Sequence, residues 1–356
     1  MRWYGVKSHF WIDLREIGTV EYRTLGKTGL RISEIGFGCG PTAGLMVAGS
    51  PEERLRAVSR ALELGINYFD TAPVYGDGLS ETHLGEALKD LGADALVGTK
   101  VALRSEDLGD ISGSIVRSVE GSLRRLKRES TDILHLHNRV ALERPAGAKA
   151  AVGPLITLDE ILGPRGILET FEALRRQGKV RFFGLCAFGG EVTVITRLLD
   201  SGRFRSLLVY YNILNPTAGR PAPAGFRGHD YGRVIDRAAA HGTGVIALRV
   251  LAAGALSGET ERHPLAARDR GGTDRERDVK RARALTFLTE NGKYTLVQTA
   301  IRFALMKREI STVLVGFSTF SHLEEAAACS GTSGFDPQAL SRLEELYRTD
   351  FGLTEL

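Results

Sequence analysis

The sequence predicts a (β/α)8 TIM barrel with an N-terminal β-hairpin and long loops on its C-terminal face, and three observations point there. Eight short apolar runs alternate with amphipathic, charged segments along 356 residues, a length that one α/β barrel domain commonly reaches. Aromatic residues make up only 7% while glycines number 42, which suits many tight strand–helix turns better than a β-sandwich. The turn after the first apolar run, Gly36-Phe37-Gly38-Cys39-Gly40-Pro41, lacks the compact glycine fingerprint of a doubly wound dinucleotide fold. Pro41 and the gap to Pro51 keep strand and helix too far apart for it.

Residues 1–20 stand apart as an N-terminal extension, either a structural cap or a start-site artefact, and 21–356 read as a single domain. Glu21–Ser33 has the pattern of a hairpin turning at Lys27-Thr28-Gly29. The first strand is Ile35–Gly38. Ser50 is an N-cap with Pro51 at the first helical position, and the helix runs to Gly65, a good C-terminal residue. Strand-like runs follow at Ile66–Phe69, Ala95–Thr99, Ile133–Leu136, Val180–Leu185, Leu207–Tyr211, Val245–Leu248 and Thr312–Val315. Helical patterns separate them at Glu81–Leu91, Ser112–Lys127, Ile167–Gln177, Glu191–Leu199, Tyr231–His241, a pair within Val279–Met306, and Phe320–Cys329, with Pro337–Tyr347 closing the chain. Strands alternating with helices imply a parallel sheet, and eight such units favour closure into a barrel.

Three segments fall outside the repeat: Asn138–Pro164, Asn215–His229 and Leu256–Val279. Each follows a strand-like run, where insertions commonly shape a substrate site. The dense charge of Gly258–Val279 fits a disordered excursion equally well.

Composition narrows the partners. The 47 basic residues are nearly matched by 43 acidic ones, for a net charge of +4, and no basic stripe interleaves with aromatics, so no nucleic-acid partner is expected. Cys39, Cys186 and Cys329 lie far apart in no metal-ligand spacing, which points to a reduced cytoplasmic protein without a metal. Trp3, Tyr4, Phe10 and Trp11 enrich the first twenty residues, but charges interrupt every apolar run there. Neither a signal peptide nor a membrane span is expected.

The chemistry sits at the strand ends. Asp70 closes the second run, Lys100 the third and His137 the fourth, while Tyr75 follows Asp70 by five residues. Each alone is unremarkable: a Lys at a strand end is usually solvated, and an Asp before Thr usually caps a turn. Their coincidence on three consecutive strands puts all of them on the rim where barrel enzymes keep their active sites. A phenol with its ordinary pKa near 10 is a poor acid/base at neutral pH. A neighbouring ammonium is expected to lower that value, with Asp70 holding Lys100 in place and charged. His137 would donate to a substrate carbonyl oxygen as Tyr75 transfers the proton. His135, two residues earlier on the same strand face, reads as a supporting core histidine.

The run FDTAPVYGDGLSETHLGEAL, followed in order by VGTK, DILHLH and GKVRFFG, resembles the aldo-keto reductase family from about Glu21 to the end of the chain. The resemblance places the family's catalytic tetrad on Asp70, Tyr75, Lys100 and His137. It implies NADP(H) by family default, with NAD(H) possible, bound extended across the rim, and a small-molecule carbonyl or sugar substrate.

On the nicotinamide side the chain departs from the family. Cys186-Ala187 stand where Ser-Asn is usual, Leu208 where a Gln is usual, and Leu248 where an aromatic stacks on the nicotinamide. The phosphate end is better supplied, by Arg249 and Gly254 after the seventh strand and by Gly316-Phe317-Ser318-Thr319 after the eighth, just before a helix. His322 and Glu325 fall near the expected 2′-phosphate position, with Arg302 or an arginine of the charged insertion as a fallback cation. The family's activity thus implied is NAD(P)-dependent hydride transfer between cofactor and a carbonyl/alcohol substrate. The alternatives are an NAD-dependent sugar (aldose) 1-dehydrogenase, and a non-catalytic cofactor-binding sensor or regulatory subunit such as potassium-channel β subunits illustrate.

Overall fold

Eight parallel strands close into a barrel in the order of the chain: β1 (Ile35–Gly38), β2 (Tyr68–Asp70), β3 (Leu96–Val101), β4 (Thr131–Leu136), β5 (Val180–Cys186), β6 (Ser206–Tyr210), β7 (Gly244–Leu248) and β8 (Ile310–Gly316). The last pair, Val313 opposite Ile35, joins β8 to β1. The computed structural model describes residues 19–148, 150, 152–223, 226, 228–258 and 275–353. Nearly all of the N-terminal extension and most of the charged insertion Gly258–Val279 lie outside the described residues.

The two-residue period of a strand sorts the side chains. Tyr68, Ile133, Cys186, Leu208, Ile246 and Leu314 point inward and fill the barrel. Their neighbours Phe69, Leu134, Leu185, Leu207, Val245 and Val313 point outward into the larger core beneath the helices.

The N-terminal mouth is plugged by the expected hairpin, in which Tyr22–Thr24 pairs antiparallel with Arg31–Ser33. Leu25, Leu30 and Ile32 are buried in the same cluster as the barrel interior. Gly26 has φ +48°, and a Cβ there would lie 2.3 Å from the backbone nitrogen of Gly244, so only glycine allows the hairpin to seat this deeply.

The helices follow the strands: α1 (Pro51–Glu63), α2 (Leu79–Asp90), α3 (Ile111–Leu126), α4 (Ile167–Arg176), α5 (Val192–Asp200), α6 (Val234–Ala240), α7 (Leu296–Met306) and α8 (Phe320–Ala327), with α9 (Pro337–Arg348) closing the chain. Ser50 caps α1 reciprocally with Glu53: the hydroxyl accepts from the Glu53 amide at 3.2 Å, and the carboxylate accepts from the Ser50 amide at 2.8 Å. Of the expected helix pair before Met306, the first is Arg275–Arg283 and the second is α7.

The insertion after β4 is ordered. Val140–Ala141 pairs with Ile156–Thr157, and Thr157 caps a short helix, Leu158–Leu162. Asn138 clamps the insertion to the loop after β3, accepting from the Leu103 amide at 2.8 Å and donating to the Leu103 carbonyl at 2.9 Å.

Arg302 is not a phosphate ligand in reserve. It is 2% exposed, its guanidinium lies 3.6 Å from the Tyr294 ring centre, and it donates to Glu290 at 2.9 Å and to the Ser333 carbonyl at 3.1 Å. These contacts tie α7 to the segment before α9 and leave the side chain no route to the rim.

Candidate active site

The C-terminal ends of β2, β3 and β4 bring the four expected residues together. Asp70, Lys100 and His137 are all buried at no more than 4% exposure, and Tyr75 is half-buried above them. The Lys100 ammonium pairs with Asp70 Oδ1 and donates to the Thr71 carbonyl at 2.7 Å. Its Nζ lies 4.8 Å from the centre of the Tyr75 ring. His137 meets that ring edge-on, with centroids 5.9 Å apart. Asp70 also accepts from the Tyr68 phenol, inside the barrel, at 3.2 Å.

The loop carrying Tyr75 is held from both ends. Thr71 and Ser80 share a hydroxyl hydrogen bond of 2.8 Å, and Ser80 donates to the Cys39 carbonyl at 2.9 Å. Glu81, in the first turn of α2, accepts from Thr99 beside Lys100 at 2.5 Å and from Arg125 of α3 at 2.7 Å. Three helices and strands therefore fix the distance between tyrosine and lysine.

The electrostatics correct one expectation. Burial pushes the Tyr75 phenol up to about 12, although Lys100 pulls it down, and Asp70 and Cys186 add to the upward push. The ammonium moderates a rise rather than producing a net fall. Burial works against a charged Lys100, yet Asp70 holds its pKa above the ordinary value, as expected. Burial and then the nearby Lys100 charge hold His137 well below the ordinary histidine range. It is therefore neutral, and among the described residues its buried Nδ1 has no hydrogen-bond partner. His135 lies deeper in the barrel, with Nε2 3.0 Å from Ser206 Oγ, which fits a supporting role.

The expected cofactor residues divide. Cys186 points into the barrel, and Leu208 is fully buried there. The Ala187 side chain faces the outer core, and its amide donates to the Leu208 carbonyl. Leu248 is half-buried at the end of β7. The aromatic surface at this rim belongs to residues the sequence reading passed over: Phe188 meets His137 edge-on at 5.9 Å, and Tyr210 stacks on Phe188 at 5.0 Å. Strand alternation carries the signal, because Tyr210 follows Leu208 on the inward face while Tyr211 turns outward to stack on Phe303.

Arg249 adopts φ +57° and lies 5.0 Å over the Tyr210 ring, with its carbonyl held by Asn212 at 3.0 Å. Gly254 has φ +90° with open space around it, and Gly316 is exposed at the end of β8. Phe317 instead packs inside against Phe37. Ser318 donates to the Ala43 carbonyl at 2.6 Å, and Thr319, the N-cap of α8, makes no side-chain capping bond. No side-chain cap therefore meets the first amides of α8 among the described residues. His322 is exposed in that first turn, whereas Glu325 accepts from Thr295 at the start of α7 at 2.5 Å. Arg56 of α1, which the sequence did not place here, lies 4.3 Å over the Phe320 ring at the same helix start.

Among the described residues no group of three or more His, Cys, Asp or Glu is placed to hold a metal, and no helix is long and apolar enough to cross a membrane. All three cysteines are free and buried.

The closed barrel and its rim cluster of phenol, ammonium, carboxylate and imidazole define a barrel oxidoreductase. A family model, Aldo/keto reductase family, matches residues 34–348, and the chain belongs to that family of NAD(P)H-dependent oxidoreductases. It is 30% identical over 348 residues to the L-galactose dehydrogenase of Arabidopsis thaliana, covering 94% of this chain and 97% of the relative. Two solved structures share the fold. An aldo-keto reductase from Bacillus halodurans, in its holo form, matches with TM-score 0.67 and 23% identity over 92% of this chain and 96% of its own. The glycerol dehydrogenase from Gluconobacter oxydans matches with TM-score 0.68 and 20% identity over 96% and 98%.

Proposed function

We propose that the enzyme interconverts a carbonyl and an alcohol on a small molecule, with Tyr75 as the general acid/base. The observation that carries this reading is the convergence of Asp70, Lys100 and His137 on one half-buried phenol. In reduction Tyr75 gives its proton to the carbonyl oxygen, and in oxidation it takes the proton from the alcohol. Lys100 stabilises the phenolate left after donation, and Asp70 keeps Lys100 charged and aimed. Neutral His137 offers an N–H to the same oxygen and polarises it without adding a full charge to the pocket.

The donor set fits a nicotinamide dinucleotide. Arg249, Ser318, Thr319 and the first turn of α8 would hold its phosphates, with open space at Gly254 letting the backbone come close. When bound, that cofactor supplies or accepts the hydride.

A second reading names the substrate: a sugar oxidised at its 1-position with NAD. It is favoured by the likeness to L-galactose dehydrogenase along almost the whole chain. The assembled tetrad argues against a purely regulatory subunit. A panel of aldehydes, ketones and aldoses, assayed in both directions with NAD and NADP, tests the reading. Turnover of none of them with either cofactor would sink it.

A further inference from the structure

Two residues beyond His137, on the chain leaving β4, stands Arg139. Among the described residues its guanidinium makes no hydrogen bond and no ion pair, and its Nε is buried without a partner. Two other arginines serve this region: Arg144, in the same insertion, is paired with Glu160, and Arg249 lies over the Tyr210 ring. A half-buried guanidinium left unpaired is unfavourable unless something else uses it.

The setting is rigid. The Arg139 carbonyl accepts from the Ile156 amide at 2.9 Å, Asn138 before it is clamped to Leu103, and Val140 after it is paired with Ile156. The guanidinium lies across the backbone of Gly189, which has φ +75°, and a Cβ there would sit 2.8 Å from Cζ. The positive φ favours glycine, and any side chain there would push the guanidinium aside. Gly189 directly follows Phe188, whose ring meets His137. Its charge reaches the loop after β6: behind burial and Tyr210 it lowers the proton affinity of Tyr231, as Arg249 also does, and behind burial and Asp230 it lowers that of His229. Tyr231 in turn packs on Tyr210 at 6.3 Å. Arg139 thus closes the far end of an aromatic wall that begins at His137.

We propose that Arg139 binds an anionic oxygen group on the substrate, so that the enzyme takes a carboxylated or phosphorylated hydroxy- or oxo-compound in preference to its neutral counterpart. The proposal rests on the reading of Tyr75 and His137 as the reacting end. The planar fork of a guanidinium matches carboxylate and phosphate oxygens in pairs, which a neutral hydroxyl cannot exploit to the same degree. With the backbone on both sides of Arg139 held in place, only the side chain itself has to be ordered on binding.

The test is calorimetric titration of the full chain with D-glucose, D-glucuronate and D-glucose 6-phosphate, in wild type, Arg139→Gln and Arg139→Lys. In the wild type at least one anion should bind roughly tenfold or more tighter than the neutral hexose, as expected for a charged hydrogen bond. Whichever of the two leads identifies the anion as carboxylate or phosphate. Arg139→Gln should bring anion and hexose within about twofold of each other, and Arg139→Lys should recover part of the gap, because it keeps the charge and loses the fork. No anion advantage in the wild type, no binding of either anion, or an advantage that survives Arg139→Gln would each overturn the proposal. Binding is read without turnover, so an anion preference in an enzyme that turns over nothing would sink the role of Tyr75 and leave the Arg139 site standing.

Discussion

The Tyr68 phenol donates a hydrogen bond to Asp70 Oδ2 at 3.2 Å, on the carboxylate whose other oxygen pairs with Lys100. Gly98 makes this possible, since a Cβ there would lie 2.3 Å from the Tyr68 hydroxyl. Tyr68 thus stands one step behind the proposed acid/base pair as a positioning residue. Burial raises the Asp70 pKa, and the hydrogen bond from Tyr68 opposes that rise alongside Lys100. Tyr68→Phe removes one opposing contribution, so Asp70 should protonate at higher pH. The acid limb of the kcat profile should shift upward, while KM for the cofactor barely moves. A profile superimposable on wild type would reduce the contact to packing.

Tyr75→Phe should lower kcat by roughly 10²-fold or more, because general acid catalysis is commonly worth 10²–10⁴, and leave cofactor affinity nearly unchanged. Burial holds the phenol up at about 12, so in the wild type it stays protonated through neutral pH. Reduction should therefore be nearly flat across that range, and oxidation, which needs the phenolate as base, should accelerate as pH rises. Steady-state rates in both directions decide this. An oxidation rate that falls with rising pH would remove Tyr75 from the base role.

Arg249→Ala should weaken dinucleotide binding by about 1.5–3 kcal/mol, the worth of a hydrogen bond to a charged group, without changing the pH profile of kcat. Fluorescence or calorimetric titration with the reduced cofactor measures it. An unchanged dissociation constant would confine Arg249 to its stack on Tyr210.

Cofactor choice should turn on the first turn of α8. With exposed His322 there, and Glu325 committed to Thr295, the cation in place is Arg56 over Phe320. Arg56→Ala should shift preference toward NAD, and His322→Arg should shift it toward NADP, each by up to about 1.5–3 kcal/mol in the ratio of dissociation constants. If neither variant moves that ratio, the 2′-phosphate is read elsewhere.

Much of the barrel and of its rim cluster was legible in the chain, for a local reason. A strand's two-residue alternation and its end at a polar residue place Asp70, Lys100 and His137 on one rim of three adjacent strands, and Tyr75 follows Asp70 too closely to be elsewhere. The Ser50 cap, the hairpin and the eight strand runs are likewise short-range signals, met by structure within a residue or two of where the pattern put them.

What only the tertiary structure decided involves residues far apart in sequence. Phe188 and Tyr210 form a wall because β5 and β6 end side by side, and Arg56 reaches the start of α8 because α1 lies next to it. Arg302 reads as a fallback phosphate cation in the sequence, and folding buries it against Tyr294. The proton affinity of Tyr75 belongs to the same class. The sequence supplies the neighbouring ammonium, but how far burial outweighs it depends on how much protein surrounds the phenol, and no local pattern records that.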